Sequence, residues 1–232
     1  MKILAFESSA KSASVCLLEN GKILAQNYQN IGATHSKTLL PMAENLLNSV
    51  SCKVSDVDYI AVAHGPGSYT GVRIGVAVVQ GLCLSAKKPC VGVSTLEAMA
   101  YNFLNITERY IVCLMDARAS QIYGAIFVNN NQKLERVFDD SAISIEDFEK
   151  ELKFLQKKYI FVGDGAEKCY NILKETSLDI TLAPEHLRYQ NAFCVGQASL
   201  NYKPYAIENL LPNYLRLSQA EREKQEKNGE KQ

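Results

Sequence analysis

The stretch His64-Gly65-Pro66-Gly67-Ser68-Tyr69-Thr70-Gly71 has the composition of a ligand loop. Glycine admits positive φ and lets another backbone or a phosphate come close. A loop of this kind opening a helix can seat an anion on free N–H groups. The pattern is neither the dinucleotide fingerprint nor the P-loop, and it lacks the P-loop lysine. A stiff turn or a contact surface therefore competes with a phosphate cradle. Glu7 and Asp116, each closing an apolar run, are the second candidate. Two carboxylates facing a cleft, with Ser8 and Arg118 beside them, could hold a metal–nucleotide. The segment from Asp116 to Ser120 contains no glycine, so phosphate oxygens would meet side chains there. His64 and Ser68 stand in the order of a base and a nucleophile, but no third residue orients them and the G-x-S-x-G elbow is absent. His35, His64 and His186 are too far apart to give an i,i+4 metal pair.

The elements that must position these groups are legible in outline. Lys2 to Phe6, Ala13 to Leu18 and Lys22 to Tyr28 read as an antiparallel meander, with a hairpin signal at Glu19-Asn20-Gly21. A helix is expected from Ser36 to Val50; Leu39, Ala43, Leu46 and Val50 share a face, and Leu40, Met42 and Leu47 make it wider than a one-sided surface helix needs. Pro41 is tolerable only near that helix's start. Tyr59 to Ala63 is a strand leading into the glycine loop and a helix to about Lys87, on which Ala77, Gly81 and Ser85 line one face with small side chains. Pro89 to Val93 is a strand and Thr95 to Asn105 a helix, capped by Ser94 or Thr95.

The second half begins in the same way. Tyr110 to Met115 runs to Asp116, Gln121 to Val128 pairs with it, and Asn129-Asn130-Asn131 turns into Leu134 to Phe138. Ser144 opens a helix to about Leu155 with Asp147 at the capping-box position. A strand at Tyr159 to Val162, a helix from Ala166 to about Glu175 and a last helix from Gln190 to Tyr202 follow. Both halves open with a meander and a carboxylate at the end of its first strand, an internal duplication. The fold class is α/β, two similar lobes facing a cleft.

Composition sets bounds on function. With 25 basic and 25 acidic residues in 232, there is no basic excess to suggest a free-standing nucleic-acid binder. The chain shows no twenty-residue apolar span and no cleavable signal, and its 47% hydrophobic content suits an ordinary core. Seven scattered cysteines, an odd number with no CxxC pair, read as core residues in a reducing compartment. The expectation is a cytoplasmic protein. From Gln219 the tail carries four basic and four acidic residues and reads as frayed helix or disorder.

The opening FESSAKSASVCLLENGKILAQ, then THSKTLLPMAENLL, GPGSYTGVRIGVAVVQGL, LMDARASQIYGAIF and LLPNYLRL together resemble the TsaB family of bacterial tRNA threonylcarbamoyladenosine biosynthesis proteins, once grouped with M22 glycopeptidases. The resemblance implies two actin-like (ribonuclease H-like) lobes, each a mixed sheet with packed helices, at 1–105 and 106–218, with the charged tail at 219–232. The family's catalytic paralogue, TsaD, holds a metal on a His-x-x-x-His motif; in register, those positions are Thr95 and Met99 here, with Glu97 between them. It further implies a non-catalytic subunit that binds a TsaD-like transferase together with a TsaE-like ATPase, meeting tRNA only through the complex and forming a homodimer when alone. No cofactor is expected on this chain, although ATP or ADP could lie at the complex interface, and no membrane is involved. The implied interface is first-lobe helices packing into a bundle, through His35, Leu39, Leu40, Met42, Leu46, Arg73, Ala77 and Gly81. The competing reading buries both helical faces inside the lobe. An independent actin-like ATPase and a glycopeptidase are the alternatives in function.

Overall fold

The computed structural model describes residues 1–118 and 120–216. Its first half runs β1 (Lys2–Glu7), β2 (Ala13–Glu19), β3 (Lys22–Gln29), α1 (His35–Ser49), β4 (Tyr59–Gly65), α2 (Tyr69–Ala86), β5 (Cys90–Ser94) and α3 (Thr95–Ala100). The second half runs β6 (Tyr110–Asp116), β7 (Gln121–Asn130), β8 (Lys133–Ser144), α4 (Ile145–Leu155), β9 (Lys158–Val162), α5 (Ala166–Leu173), β10 (Asp179–Leu182), α6 (Glu185–Arg188) and α7 (Ala192–Ser199).

The two five-stranded sheets are β3-β2-β1-β4-β5 and β10-β9-β6-β7-β8. In each, the first strand pairs antiparallel with its hairpin partner on one side and parallel with a crossover strand on the other. The order is the same in both sheets, so the duplication read from the sequence is topological. Central strands are covered on both faces, which explains why β1 and β6 read as continuous apolar runs rather than alternating ones. Two repeated mixed sheets clothed in helices make the two-lobe actin-like architecture.

Three helix starts are set locally by their caps. Ser68, Ser94 and Ser144 accept from the N–H groups of Gly71, Glu97 and Asp147, each satisfying one of the free donors of a first turn. Pro41 differs from expectation: it lies well inside α1, past the first turn, so its missing N–H leaves the Lys37 carbonyl without its helical donor. Pro41 is exposed, where water can take that carbonyl.

Several elements are longer, shorter or new relative to the sequence reading. β8 extends to Ser144, the last helix contracts to Ala192–Ser199, and β10 and α6 were not read at all. The chain also returns. α7, expected with the second lobe, packs on the first sheet, where Ala192, Cys194, Val195 and Ala198 join Ile3, Ala5, Cys16, Leu18 and Val91 in one core. Beyond it, Tyr205 bridges to Cys90, and Leu210 is buried in the core under α1 and α2. α2 is long and apolar enough to cross a membrane by length and mean hydropathy (1.3). Its Val72, Val76, Val79 and Cys83, however, are buried against the sheet. The charged tail at 219–232 lies outside the described residues.

Candidate functional site

The glycine loop is built against the end of β1. Gly65 sits at φ +120°, and a Cβ there would lie 2.2 Å from the Asn213 carbonyl oxygen. The Asn213 N–H in turn donates to His64 O at 2.7 Å. A Cβ on Gly67 would lie 2.5 Å from Ser9 O, one on Gly71 2.2 Å from Ser8 O, and one on Gly75 2.4 Å from Ser8 Oγ. The Ser8 hydroxyl donates to Gly71 O at 2.9 Å, and the Ser68 N–H donates to Ser9 O at 2.7 Å. Gly67, Gly71 and Gly75, four residues apart, are therefore small so that α2 can lie directly on the Ser8–Ser9 backbone. Gly75, inside α2, has the same role, and its four-residue spacing from Gly67 and Gly71 was the signal that could have found it.

Between the lobes lies a cleft of about 400 Å³, lined by Ser9, Lys11, Thr70, Arg118, Asp164 and Tyr214 among others. The paired acids separate here. Glu7 is fully buried beneath it: Oε1 accepts from the Ser9 N–H at 2.6 Å, Oε2 has no partner among the described residues, and burial raises its pKa to about 7. Asp116 is at the rim, taken by Lys168 Nζ at 2.8 Å and by the Arg118 N–H at 3.0 Å. Asp116 lines the cleft together with a second carboxylate that was missed, Asp164 in the Gly163-Asp164-Gly165 turn. Burial pushes the Asp164 carboxyl up, and it accepts from Gln190 Nε2 at 2.7 Å. At the mouth, the Arg73 guanidinium lies 4.0 Å from the centroid of Tyr69, its Nε donates to Tyr214 Oη at 2.7 Å, and the two tyrosine rings stack at 4.7 Å.

The faces of the loop glycines are not open to cradle a phosphate. The glycine faces are taken by Ser8 and Ser9, the Ser68 and Gly71 N–H groups donate inside the lobe, and Asp116 is already paired. Pro66, Gly67, Ser68 and Thr70 do line the cleft, as wall.

The expected partner helices divide. Leu39, Met42 and Leu46 are 0%, 5% and 1% exposed in the lobe's own core, which corrects their assignment as interface residues. The extra apolar width of α1 arises because it packs at once against β2, β3 and α2. His35 is half-buried and its Nε2 pairs with Ala10 O at 2.7 Å. What remains on the surface of the adjoining helices is Leu40 at 49%, with Arg73, Ala77, Gly81 and Ser85 exposed, and Leu84, which was not singled out, at 74%. A Cβ on Gly81 would meet nothing within 4 Å.

Thr95 and Met99 are buried, Met99 within the core between the lobes. Glu97 points elsewhere, into a polar network. It accepts from Tyr202 Oη at 2.5 Å and from Arg136 at 3.4 Å, and Arg136 also pairs with Asp140, which takes the Ser94 hydroxyl. That network ties α3 to β8 of the second sheet. Among the described residues, no group of three or more His, Cys, Asp or Glu stands close enough to hold a metal ion.

A family model described as "TsaD: tRNA N6-adenosine threonylcarbamoyltransferase" matches residues 23–224. The tRNA threonylcarbamoyladenosine biosynthesis protein TsaB of Bacillus subtilis (strain 168) is 30% identical over 95% of this chain and 96% of its own. The protein of the same description from Buchnera aphidicola subsp. Schizaphis graminum is 33% identical over 76% of this chain and 83% of its own. Among solved structures, an uncharacterized Pseudomonas aeruginosa protein with similarity to peptidase YEAZ superposes with a TM-score of 0.79 at 26% identity, covering 93% of this chain and 99% of that one.

Proposed function

The chain belongs to the TsaB family of tRNA threonylcarbamoyladenosine biosynthesis proteins, and on that premise we propose that it serves as a non-catalytic subunit binding and activating a TsaD-type transferase. A role in making threonylcarbamoyladenosine in tRNA follows from the family itself. The finer reading is that the transferase, with a TsaE-type ATPase, moves the threonylcarbamoyl group to N6 of adenosine 37 in tRNAs reading codons that begin with A. This chain would supply a surface and bring no nucleotide of its own.

The observation that carries the reading is the uncovered face of α1 and α2. Leu40 on α1 and Leu84 on α2 are exposed, and the exposed Ala77, Gly81 and Ser85 leave the α2 backbone open to close approach by another helix. Apolar surface of this kind is what a stable partner covers. In the absence of the partner, a second copy would pair through the same face.

Reconstitution tests it. The purified chain alone should leave tRNA unmodified. Mixed with TsaD- and TsaE-type proteins and a source of threonylcarbamoyl-adenylate, it should restore modification. Gly81→Arg and Leu84→Arg, both at solvent-exposed positions, should keep the fold by circular dichroism and weaken binding to the transferase at least tenfold. Unchanged binding by both folded variants would remove this face from the interface.

A further inference from the structure

A second concavity lies on the opposite side of the first sheet. α7 is short and covers the inner strands on that side. β3, the edge strand, carries Gln26 and Tyr28 on the same face as Cys16 and Ser14, against which α7 packs. Between this overhang and the α6–α7 connection opens a groove of about 780 Å³, within the size range of small-molecule sites.

Its lining has a definite chemistry. Tyr28, Tyr189 and Phe193 supply three aromatic rings, and among the described residues none of them stacks on another ring. Tyr28 is 43% exposed, and Tyr189 and Phe193 are half-buried. Gln26, Asn30 and His186 also line the groove, and their side chains make no hydrogen bond within the described residues. Each carboxamide thus offers a donor and an acceptor side by side, the pair that complements a nucleobase edge. The floor is held in place. Asn102 Nδ2 donates to Leu187 O at 3.0 Å, and Asn191 Oδ1 accepts from the Cys194 N–H at 3.0 Å. No lysine or arginine is among the described lining residues, and Glu185 stands exposed at the rim. A phosphate would find no lysine or arginine to neutralise it there, and a carboxylate to repel it.

We propose that this groove binds an uncharged nucleobase, presented either by a free nucleoside or by an unpaired nucleotide of a single strand. The flat rings provide stacking surface, which is tolerant of base identity, and Gln26 and Asn30 read the edge. The site is separate from the α1–α2 face and does not depend on the partner reading.

The test uses the full chain. Saturation-transfer NMR with adenosine, cytidine, ribose 5-phosphate and N-acetyltyrosinamide is run beside anisotropy titrations of a fluorescein-labelled single-stranded RNA. Adenosine should show saturable transfer, and ribose 5-phosphate none. Tyr189→Ala and Gln26→Ala should each weaken nucleoside binding, the tyrosine by roughly five- to 150-fold. Gln26 is exposed, so its variant decides the matter even where Tyr189→Ala does not fold. RNA binding at least tenfold tighter than adenosine, and lost in the same variants, assigns the groove to a strand. Equal or weaker RNA binding assigns it to a free nucleoside. The proposal is overturned by absence of saturable binding of both, by variants that bind as the parent does, or by N-acetyltyrosinamide competing as well as adenosine. Leu84→Arg should bind nucleoside normally, which separates failure here from failure of the partner reading.

Discussion

Glu7→Gln offers a direct test of how the end of β1 is built. The Glu7 carboxyl is fully buried, with one oxygen accepting from Ser9 and the other without a partner among the described residues. Burial raises its pKa from 4.5 to about 7. A raised pKa means that the native state holds the proton more tightly than the unfolded chain does. Below pH 4.5 both states are protonated and there is no penalty. As pH rises to 7 the unfolded state ionises first, native stability falls, and above 7 the full penalty is present. The shift corresponds to about 3 kcal/mol. Glutamine keeps the Oε1 acceptor for the Ser9 N–H and cannot ionise. Glu7→Gln should therefore be within about 1 kcal/mol of the parent at pH 4.5 and about 2–3 kcal/mol more stable at pH 8. In a chain of this size that is a gain of roughly 5–10 °C in Tm. Urea unfolding followed by circular dichroism at both pH values measures the difference. The same stability difference at pH 4.5 and pH 8 would refute the assignment of a buried proton to Glu7.

Two glycines of α2 should respond with opposite signs. Gly75→Ala brings a Cβ within 2.4 Å of Ser8 Oγ and 3.4 Å of Val62 Cγ2, so it should lower stability by about 1–3 kcal/mol despite the better helix former. Gly81→Ala meets nothing and should raise stability by up to about 1 kcal/mol; thermal melts of the pair suffice, and equal effects would contradict the packing. Arg136→Leu removes the cation between Glu97 and Asp140, whose side chains are only 13% and 14% exposed. It should cost about 2 kcal/mol at pH 8. Burial already raises the Glu97 pKa, and losing the arginine raises it further, so the deficit should shrink by pH 5. A deficit independent of pH would show that Arg136 acts only through its contact with the Phe127 ring, 4.6 Å away.

Much of the fold was legible because it rests on local signals. The Ser144 cap, the two meanders and their matching terminal carboxylates appear in the sequence where the structure has them. The short edge strand β10 and the one-turn α6 were invisible, since four residues carry too little periodicity to read. The apolar width of α1 was legible as a quantity but not as a destination. Nothing in the pattern says whether a second stripe meets a partner or the lobe's own α2.

The glycine loop shows the same division. Its stiffness, its glycines and its serine cap belong to the sequence, because backbone freedom and capping are properties of neighbouring residues. What the glycines make room for was decided only by the tertiary structure, which brings Ser8 and Ser9, some sixty residues earlier, against Gly67, Gly71 and Gly75. The pairing of two carboxylates was likewise undone in three dimensions, where one strand end was sealed under the floor and the other left at the rim. Sequence fixes what a residue can offer; burial and the approach of distant segments determine which offers are taken, because desolvation depends on the whole packed molecule.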